Sequence, residues 1–216
     1  MRYCLIADTH FGVNNNEKAF HDSNERFFSE NFFPLLKKAK IDRVVHVGDV
    51  YHNRQTLNWY SAERARKYFF EPLRDYPVDV IAGNHDLYFK HSSATSSLNE
   101  IVKFYDNIRV FDEATEVDGI LYIPWINREN KERTLQVIAD SKAKIAFGHL
   151  ELTGYKVNAG SVMNSGYDPA SLAHFEHVYS GHFHMNHTIG NVTYLGSVQQ
   201  HSWADVFNTH GFHLFD

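Results

Sequence analysis

Cysteine is almost absent from this chain of 216 residues, which contains only Cys4. One cysteine cannot form a disulfide within the chain, so a disulfide-stapled secreted domain is excluded and a reducing compartment is expected. No apolar run reaches the roughly 18 residues that a membrane-spanning helix requires. The apolar stretch at the N-terminus is too short for a secretory leader, and Asp8 and His10 interrupt it. We therefore expect a cytoplasmic protein with no membrane span.

An excess of positive charge is also missing, since the formal net charge is −5. This balance weighs against a large basic surface for nucleic acid, although bound cations can invert the local field at a site. The chain lacks internal repeats, low-complexity tracts and linkers rich in proline or glycine. Its length suits one domain with a well-buried core. We expect a single domain over residues 1–216.

Apolar runs of strand length recur along the chain, and each ends in a short polar motif. They cover residues 2–8, 43–49, 78–84, 144–149 and 177–182. Continuous runs of this kind predict strands that are buried on both faces. Apolar residues at steps of three and four predict helices at about residues 23–39, 57–73, 98–105 and 131–139. The alternation predicts α/β layering with a largely parallel sheet.

The C-terminal part has a different pattern. Short strands are predicted at residues 187–189, 192–195 and 211–215, and Gly190-Asn191 forms a turn signal between the first two. Such strands are typical of an antiparallel sheet. The architecture we predict is α/β, with two sheets flanked by helices.

Fifteen histidines are an unusual number, and several of them follow the predicted strands. Together with carboxylates and an amide they form five motifs: Asp8-Thr9-His10, Gly48-Asp49, Gly83-Asn84-His85-Asp86, Gly148-His149 and Gly181-His182-Phe183-His184. One such motif alone is usually a turn or a helix cap. Because ligands gather at the carboxyl ends of strands in α/β sheets, five motifs at five strand ends indicate a metal site.

The kinds of side chain indicate which ions could bind. The seven candidate ligands are Asp8, His10, Asp49, Asn84, His149, His182 and His184. Imidazole, carboxylate and amide oxygen without thiolate suit manganese, iron or zinc better than calcium. Seven residues are too many for one tetrahedral ion and suit two ions about 3.5–4 Å apart that share a carboxylate. Two carboxylates leave net positive charge, which suits a phosphodiester and its transition state.

At these motifs the sequence resembles the calcineurin-like metallophosphoesterases over essentially the whole chain. Together with Gly48-Asp49-Val50-Tyr51-His52, they are similar to the nuclease subunits of SbcCD-type DNA repair complexes. Residues 123–125 and 148–154 resemble the recombination endonuclease subunits of T-even-like phages. The resemblance implies a four-layer αββα sandwich of two mixed sheets flanked by helices.

The resemblance also implies roles for individual residues. One ion would be held by Asp8, His10, Asp49 and His184, and the other by Asp49, Asn84, His149 and His182. His85 would act as general acid or steady the scissile phosphate, Asp86 would orient His85, and His52 would contact the substrate phosphate. The implied metal is manganese.

The function implied is that of a manganese-dependent DNA nuclease, an exonuclease or endonuclease, in double-strand-break repair and recombination. It would act in the cytoplasm of a bacterium or of a phage-infected host. Relatives continue into a capping domain and into helices that dock on an SbcC-like SMC-type ATPase, and we expect both segments to be absent here. A homodimer could form through the phenylalanine-rich helix at residues 23–39, unless the domain itself covers those rings.

Two other functional classes remain open. The chain could be a phosphomonoesterase or a nucleotide phosphodiesterase of the same superfamily, because the site chemistry is shared. It could also be a non-catalytic metal-binding interaction module. Such modules typically lose a ligand, whereas all seven ligands and His85 are present here.

A few residues near the motifs carry two interpretations each. Arg54 could meet a DNA phosphate or be an ordinary surface arginine. Tyr88, Tyr155 and Trp203 could stack on bases, although ordinary packing is the alternative for all three. His201 could line the rim of the site, but we assign it no role.

Overall fold

The first sheet joins the N-terminal strands to the last strand of the chain. The computed structural model describes residues 1–216, apart from the side chain of Lys103. In this sheet four parallel strands follow one another in sequence order, and the last strand pairs antiparallel with the first. Numbered in chain order, its strands are β13 (His213–Phe215), β1 (Tyr3–Ile6), β2 (Arg43–His46), β3 (Val78–Ile81) and β4 (Ile108–Phe111).

The second sheet also has parallel strands in the middle, but it has antiparallel strands at both edges. Its strands are β11 (His187–Ile189), β12 (Val192–Tyr194), β10 (His177–Gly181), β7 (Ile145–His149), β6 (Ile120–Ile123) and β5 (Thr115–Val117). A separate hairpin is formed by β8 (Lys156–Asn158) and β9 (Ser161–Val162). Both sheets are mixed, as predicted.

The helices lie where the apolar spacing predicts them, but two of them include a wider π-helical turn. The α-helices are α1 (Val13–Asn16), α2 (Lys18–Arg26), α3 (Phe33–Ala39), α4 (Trp59–Ala65), α5 (Ser97–Ile101) and α6 (Lys131–Asp140). The π-helical turns are Phe27–Phe32 and Arg66–Phe70, and short 3-10 helices cover Pro72–Asp75, Val102–Phe104, Pro169–Leu172 and Trp203–Asp205. Among the described residues, no helix is long and apolar enough to cross a membrane.

Three apolar layers separate the helices and sheets. In β1, Cys4 and Ile6 pack on the helical side with the phenylalanines of the first two helical segments. Tyr3 and Leu5 point to the opposite face, where they pack between the two sheets. A third cluster covers the outer face of the second sheet, with Ile138 of α6. Because successive strand residues face opposite ways, buried strands of this kind produce the predicted four-layer αββα sandwich.

A buried carboxylate ties the two sheets together. Asp79 of β3 is fully buried and accepts hydrogen bonds from Arg109 at 2.7 and 3.0 Å and from Arg43 at 3.0 Å. The hydroxyl of Tyr122, on β6 of the other sheet, donates to the same carboxylate at 2.8 Å. A buried charge needs such partners, and here they fix how one sheet sits on the other.

The C-terminal strands do not form one antiparallel sheet, so that prediction was wrong. Of the three C-terminal strands, β11 and β12 pair with each other as a hairpin, and β12 runs parallel to β10. The last strand crosses to the first sheet, where Leu214 lies opposite Cys4. This pairing supplies hydrogen-bond partners along the otherwise open edge of β1.

The phenylalanines of the helix predicted at residues 23–39 are covered within the chain. Phe28 and Phe32 are fully buried, and their ring centroids lie 4.9 and 6.3 Å from that of Phe69. Phe27 and Phe33 pack against the same cluster. The domain itself therefore covers these rings, and they give no support to a homodimer.

Candidate metal centre

The topology brings all five motifs to one place. The loops after the adjacent parallel strands β1, β2 and β3 carry Asp8, His10, Asp49 and Asn84. In the second sheet, β7 ends at His149, and the loop after its neighbour β10 carries His182 and His184. The carboxyl ends of parallel strands meet at one edge of a sheet, which explains why residues so distant in sequence converge.

Asp49 lies between two groups of donors. Its Oδ2 atom is 3.5 Å from Nε2 of His10 and 3.5 Å from Nε2 of His149. Asp8, His10 and Asp49 form one group whose ligand atoms lie within 4.8 Å of one another, and Asp49, His149 and His182 form another. A carboxylate common to both groups is the geometry expected of a bridging ligand.

The first group is completed by His184. Its Nε2 atom lies 3.2 Å from Nε2 of His10, which in turn lies 3.9 Å from Oδ1 of Asp8. On its other side, Nδ1 of His184 faces Oδ2 of Asp205 at 4.0 Å. The inner nitrogens of both rings therefore face the same point.

The second group is centred on Asn84. Its Oδ1 atom is 3.0 Å from Nε2 of His149 and 3.0 Å from Nδ1 of His182. The outer nitrogens of these rings face acceptors, with the Val47 carbonyl 2.8 Å from His149 and Oε2 of Glu151 3.2 Å from His182. Only an N–H group can donate to those oxygens, so a neutral ring keeps its lone pair on the inner nitrogen, where a metal ion would accept it.

The titration of the buried groups also fits cation binding. Burial raises the pKa of Asp8 to about 7. Burial is the largest effect on the pKa of His149 and would lower it, but the carboxylates of Asp49 and Asp8 together raise that pKa to about 9. Burial would raise the pKa of Asp49, but the imidazoles around it, His149 first and then His10, together hold that pKa well below the usual range. A cation would take the place of the protons on Asp8 and His149.

The backbone at the centre is held in an unusual conformation. Four candidate ligands have positive φ angles, namely Asp8 (51°), His10 (42°), Asp49 (58°) and His182 (89°). Residues other than glycine adopt this region rarely, and such strain concentrates at functional sites. A Cβ atom at Gly48 would overlap the ring of His149, and one at Gly83 would overlap the carboxylate of Asp49. The glycines before the ligands thus allow the close approach of two loops.

His52 and His85 stand beside the first group. The Nδ1 atom of His85 donates to the His52 carbonyl at 2.5 Å, so the Nε2 atom of His85 is the ring nitrogen that this bond does not use. The ring centroid of His85 lies 4.8 Å from that of His10, and Nδ1 of His52 lies 3.4 Å from Nδ1 of His10. A cavity of about 580 Å³ opens next to both rings and is also lined by Arg54 and Lys90.

The role expected for Asp86 needs correction. Its Oδ2 atom accepts from the backbone N–H groups of Asp49 at 2.8 Å and Gly83 at 2.9 Å, and its Oδ1 atom accepts from Val50 at 3.0 Å. These bonds engage both oxygens with the backbone, whereas the His52 carbonyl holds the ring of His85. Asp86 therefore fixes the loop that carries Asp49 and does not orient His85.

Three residues at the centre were given no role from the sequence. His201 is 5% exposed, and its ring centroid lies 5.0 Å from that of His10 and 4.8 Å from that of His184. Its nitrogens lie close enough to those two rings to form a further possible ligand group. Glu151 and Asp205 face the outer nitrogens of His182 and His184. Glu151 follows His149 by two residues, and this spacing was the available signal for it.

Exposure separates the candidate base-stacking residues. Tyr155 is 3% exposed and packs in the core, whereas Tyr88 is 40% exposed and Trp203 is 90% exposed. Arg54 is partly buried, and its Nη1 atom is buried without a hydrogen-bond partner among the described residues.

This fold and this centre define a metal-dependent phosphoester hydrolase. The family model described as calcineurin-like phosphoesterase matches residues 1–186, and the chain belongs to this family. Members of the family use divalent metal ions, and the donor groups found here are suited to hold them.

Two curated relatives match the whole chain. Exonuclease subunit 1 of Enterobacteria phage T4 is 33% identical over 222 residues, and the match covers 65% of that protein. A subunit of the nuclease SbcCD from Staphylococcus epidermidis is 23% identical over 260 residues, with 66% of that protein covered. The chain therefore spans about two thirds of the length of either relative.

Solved structures share the fold at low identity. A dimetal phosphatase from Danio rerio is 14% identical, with a TM-score of 0.55 over 99% of this chain and 91% of the other. The anchor in the inner membrane complex of Plasmodium is 11% identical, with a TM-score of 0.54 over 99% and 80% of the two chains. At these identities the likeness concerns the fold alone.

Proposed function

We propose that this chain is the catalytic domain of a two-metal DNA nuclease that hydrolyses phosphodiester bonds with manganese. The observation that carries the proposal is Asp49, which is shared by two groups of donors directly beside His52 and His85. One ion would be held by Asp8, His10, Asp49 and His184, and the other by Asp49, Asn84, His149 and His182.

The chemistry divides between the ions and the chain. Two such ions, when bound, activate water as a nucleophile and stabilise the charge that develops on phosphorus. The chain contributes the position of the ligands, because hydrogen bonds to Val47 and Glu151 fix the rings of His149 and His182. His85 donates from Nδ1 to the His52 carbonyl, so a proton for the leaving oxygen would come from its Nε2 atom.

The surroundings of His85 favour a phosphodiester chain over a small substrate. The cavity next to it is wide, and Arg54 and Lys90 add positive charge to its wall. Because the buried Nη1 atom of Arg54 lacks a partner among the described residues, a substrate phosphate could satisfy it. Both curated relatives are named as nuclease subunits, which agrees with this substrate.

The proposal for the wider role is based on the names of the two curated relatives. Subunit names imply assembly with another protein, and we propose an SMC-type ATPase as that partner. We further propose action in DNA break repair and recombination in the cytoplasm, with residues 1–216 forming one catalytic domain.

Cleavage of end-labelled linear DNA and of circular DNA tests the proposal. We expect cleavage with manganese, weaker cleavage with magnesium and none with chelator. In His85→Ala, turnover should fall by about 10²–10⁴-fold, the usual contribution of a general acid. His91→Ala, at an exposed histidine, is the matched control.

The same assay separates the alternatives. Rapid hydrolysis of a phosphomonoester with no DNA cleavage would favour a phosphatase. Full turnover in His85→Ala with both metals still bound would remove His85 from the mechanism. A chain that binds metal and hydrolyses no phosphoester would be a binding module.

A further inference from the structure

A second cavity adjoins the metal centre on the side of His184. It has a volume of about 430 Å³, and the residues that matter for its chemistry are Asn14, Phe20, Gln199, Gln200, His201 and Trp203. Its lining contains amides, hydroxyls, an imidazole and aromatic rings, but no lysine, arginine, aspartate or glutamate. In this respect it differs from the cavity beside His85, whose wall carries Arg54 and Lys90.

Two buried side chains in this lining have unsatisfied polar atoms. Gln199 is 9% exposed, and its Nε2 group has no hydrogen-bond partner among the described residues. His201 is 5% exposed, and neither ring nitrogen has a partner there. Buried polar groups are almost always hydrogen-bonded, so the unpartnered Gln199 amide indicates a ligand with a polar edge in this cavity. The His201 nitrogens also lie close to those of His10 and His184, so this ring stands between the cavity and the metal centre.

The cavity is connected to the reacting centre through His201. The same ring that lines the cavity lies 5.0 Å from His10 and 4.8 Å from His184, between ring centroids. An occupant of the cavity would therefore be next to the group held at the metal centre. In a nucleic acid, one sugar separates a phosphate from its base.

The rim of the cavity carries an exposed aromatic ring on a rigid support. Trp203 is 90% exposed and begins a short 3-10 helix that Ser202 and Asp205 cap. Oδ2 of Asp205 accepts from the backbone of His201 at 3.1 Å and of Ser202 at 2.9 Å. The same carboxylate faces His184, so the helix that carries the indole lies next to the metal centre. An exposed indole beside a polar pocket is well suited to stack on a base.

We propose that this cavity holds an unpaired nucleobase of the strand whose phosphate is being cleaved. Trp203 stacks on the base, and the Gln199 amide bonds to its edge. This inference rests on the proposed nuclease function and adds a substrate class to it, namely single-stranded or frayed ends. A base within a duplex is stacked and paired, so it could not enter without leaving the helix.

Binding without catalysis tests the pocket first. A single-stranded oligonucleotide and the same sugar–phosphate backbone without bases are titrated with the protein in chelator, and anisotropy gives both dissociation constants. We expect the bases to tighten binding about tenfold or more in the wild type. In Trp203→Ala and in Gln199→Leu, most of that preference for bases should be lost.

Trp59→Ala is the matched control, because Trp59 is 84% exposed and lies in α4, outside this cavity. It should keep the wild-type preference for bases. If the wild type, Trp203→Ala and Gln199→Leu all prefer the oligonucleotide with bases equally, the proposal that this cavity holds a base is wrong.

Cleavage with manganese separates this inference from the function on which it rests. We expect the wild type to cut the single strand faster than a blunt duplex of the same sequence, and Trp203→Ala to reduce that ratio. DNA cleavage with an unchanged ratio in Trp203→Ala would refute the pocket and leave the nuclease intact. Failure to cut any DNA would refute the nuclease, and the binding titration would still decide whether bases occupy the cavity.

Discussion

At the scale of single residues, two carboxylates lie behind candidate ligands of the centre. Glu151 lies 3.2 Å from His182, and Asp205 lies 4.0 Å from His184. Glu151 accepts from the outer nitrogen of His182 and so fixes that ring with its lone pair inward, whereas Asp205 acts on His184 through its charge. The bond to His182 also lowers the pKa of Glu151, which keeps this carboxylate charged.

Removing the charge from one outer carboxylate should weaken one ion selectively. In Glu151→Gln we expect the affinity for the ion near Asn84 to fall by about 10–100-fold, because the amide accepts more weakly from His182. Asp205→Asn should weaken the ion near His10 instead. Titration calorimetry with Mn²⁺ resolves the two sites, and Glu132→Gln, on the exposed first turn of α6, is the control. If Glu151→Gln leaves the Mn²⁺ affinity of both sites unchanged, Glu151 does not support the ion near Asn84.

At the scale of secondary structure, the apolar runs predicted the buried strands, and the motifs predicted side chains that the structure brings together. Parallel strands place their carboxyl ends together, so Asp8, Asp49 and His182 could be expected to meet. The partner of the last strand could not be predicted, because Leu214 meets Cys4 only through pairing across 210 positions of the chain. The contacts of Asp86, Glu151 and Asp205 depend on loop conformation, which residue spacing does not specify.

The link between the sheets provides a test at this scale. Asp79→Ala would leave Arg43, Arg109 and Tyr122 without their common acceptor, and we expect the free energy of unfolding to fall by about 2–3 kcal/mol. Tyr122→Phe removes only one of the bonds and should cost about 1 kcal/mol. Urea denaturation measures both changes. Asp140→Ala, at the exposed end of α6, should change stability little, and an equal effect of Asp79→Ala and Asp140→Ala would be contrary to this account.

At the scale of the whole molecule, the centre exists only while the two sheets are packed together. Asp8, His10, Asp49 and Asn84 come from the first sheet, and His149, His182 and His184 come from the second. Ion binding should therefore stabilise the whole sandwich, because the unfolded chain does not hold these groups together.

The stability of the metal-free protein should depend on pH in a definite direction. The pKa of His149 is raised to about 9, whereas burial lowers the pKa of other histidines, among them His46 and His201. Above about pH 7.5 those other histidines are neutral in both states, so there the folded chain binds more protons than the unfolded chain. Unfolding then becomes easier as pH rises, and the melting temperature should fall from about pH 7.5 to about pH 9.

Manganese should oppose this trend, since it replaces the same protons and binds more tightly as pH rises. Thermal unfolding with chelator or with Mn²⁺ across this pH range measures both effects. A metal-free melting temperature that rises steadily with pH would be inconsistent with these pKa shifts.

The proposed chemistry depends on two ions that share Asp49. Anomalous diffraction at the manganese edge, from crystals soaked in Mn²⁺, tests it most directly. We predict two peaks about 3.5–4 Å apart, on either side of the Asp49 carboxylate. One peak should lie near His10 and His184 and the other near Asn84 and His149. A single peak, or two peaks that do not share Asp49, would contradict the account.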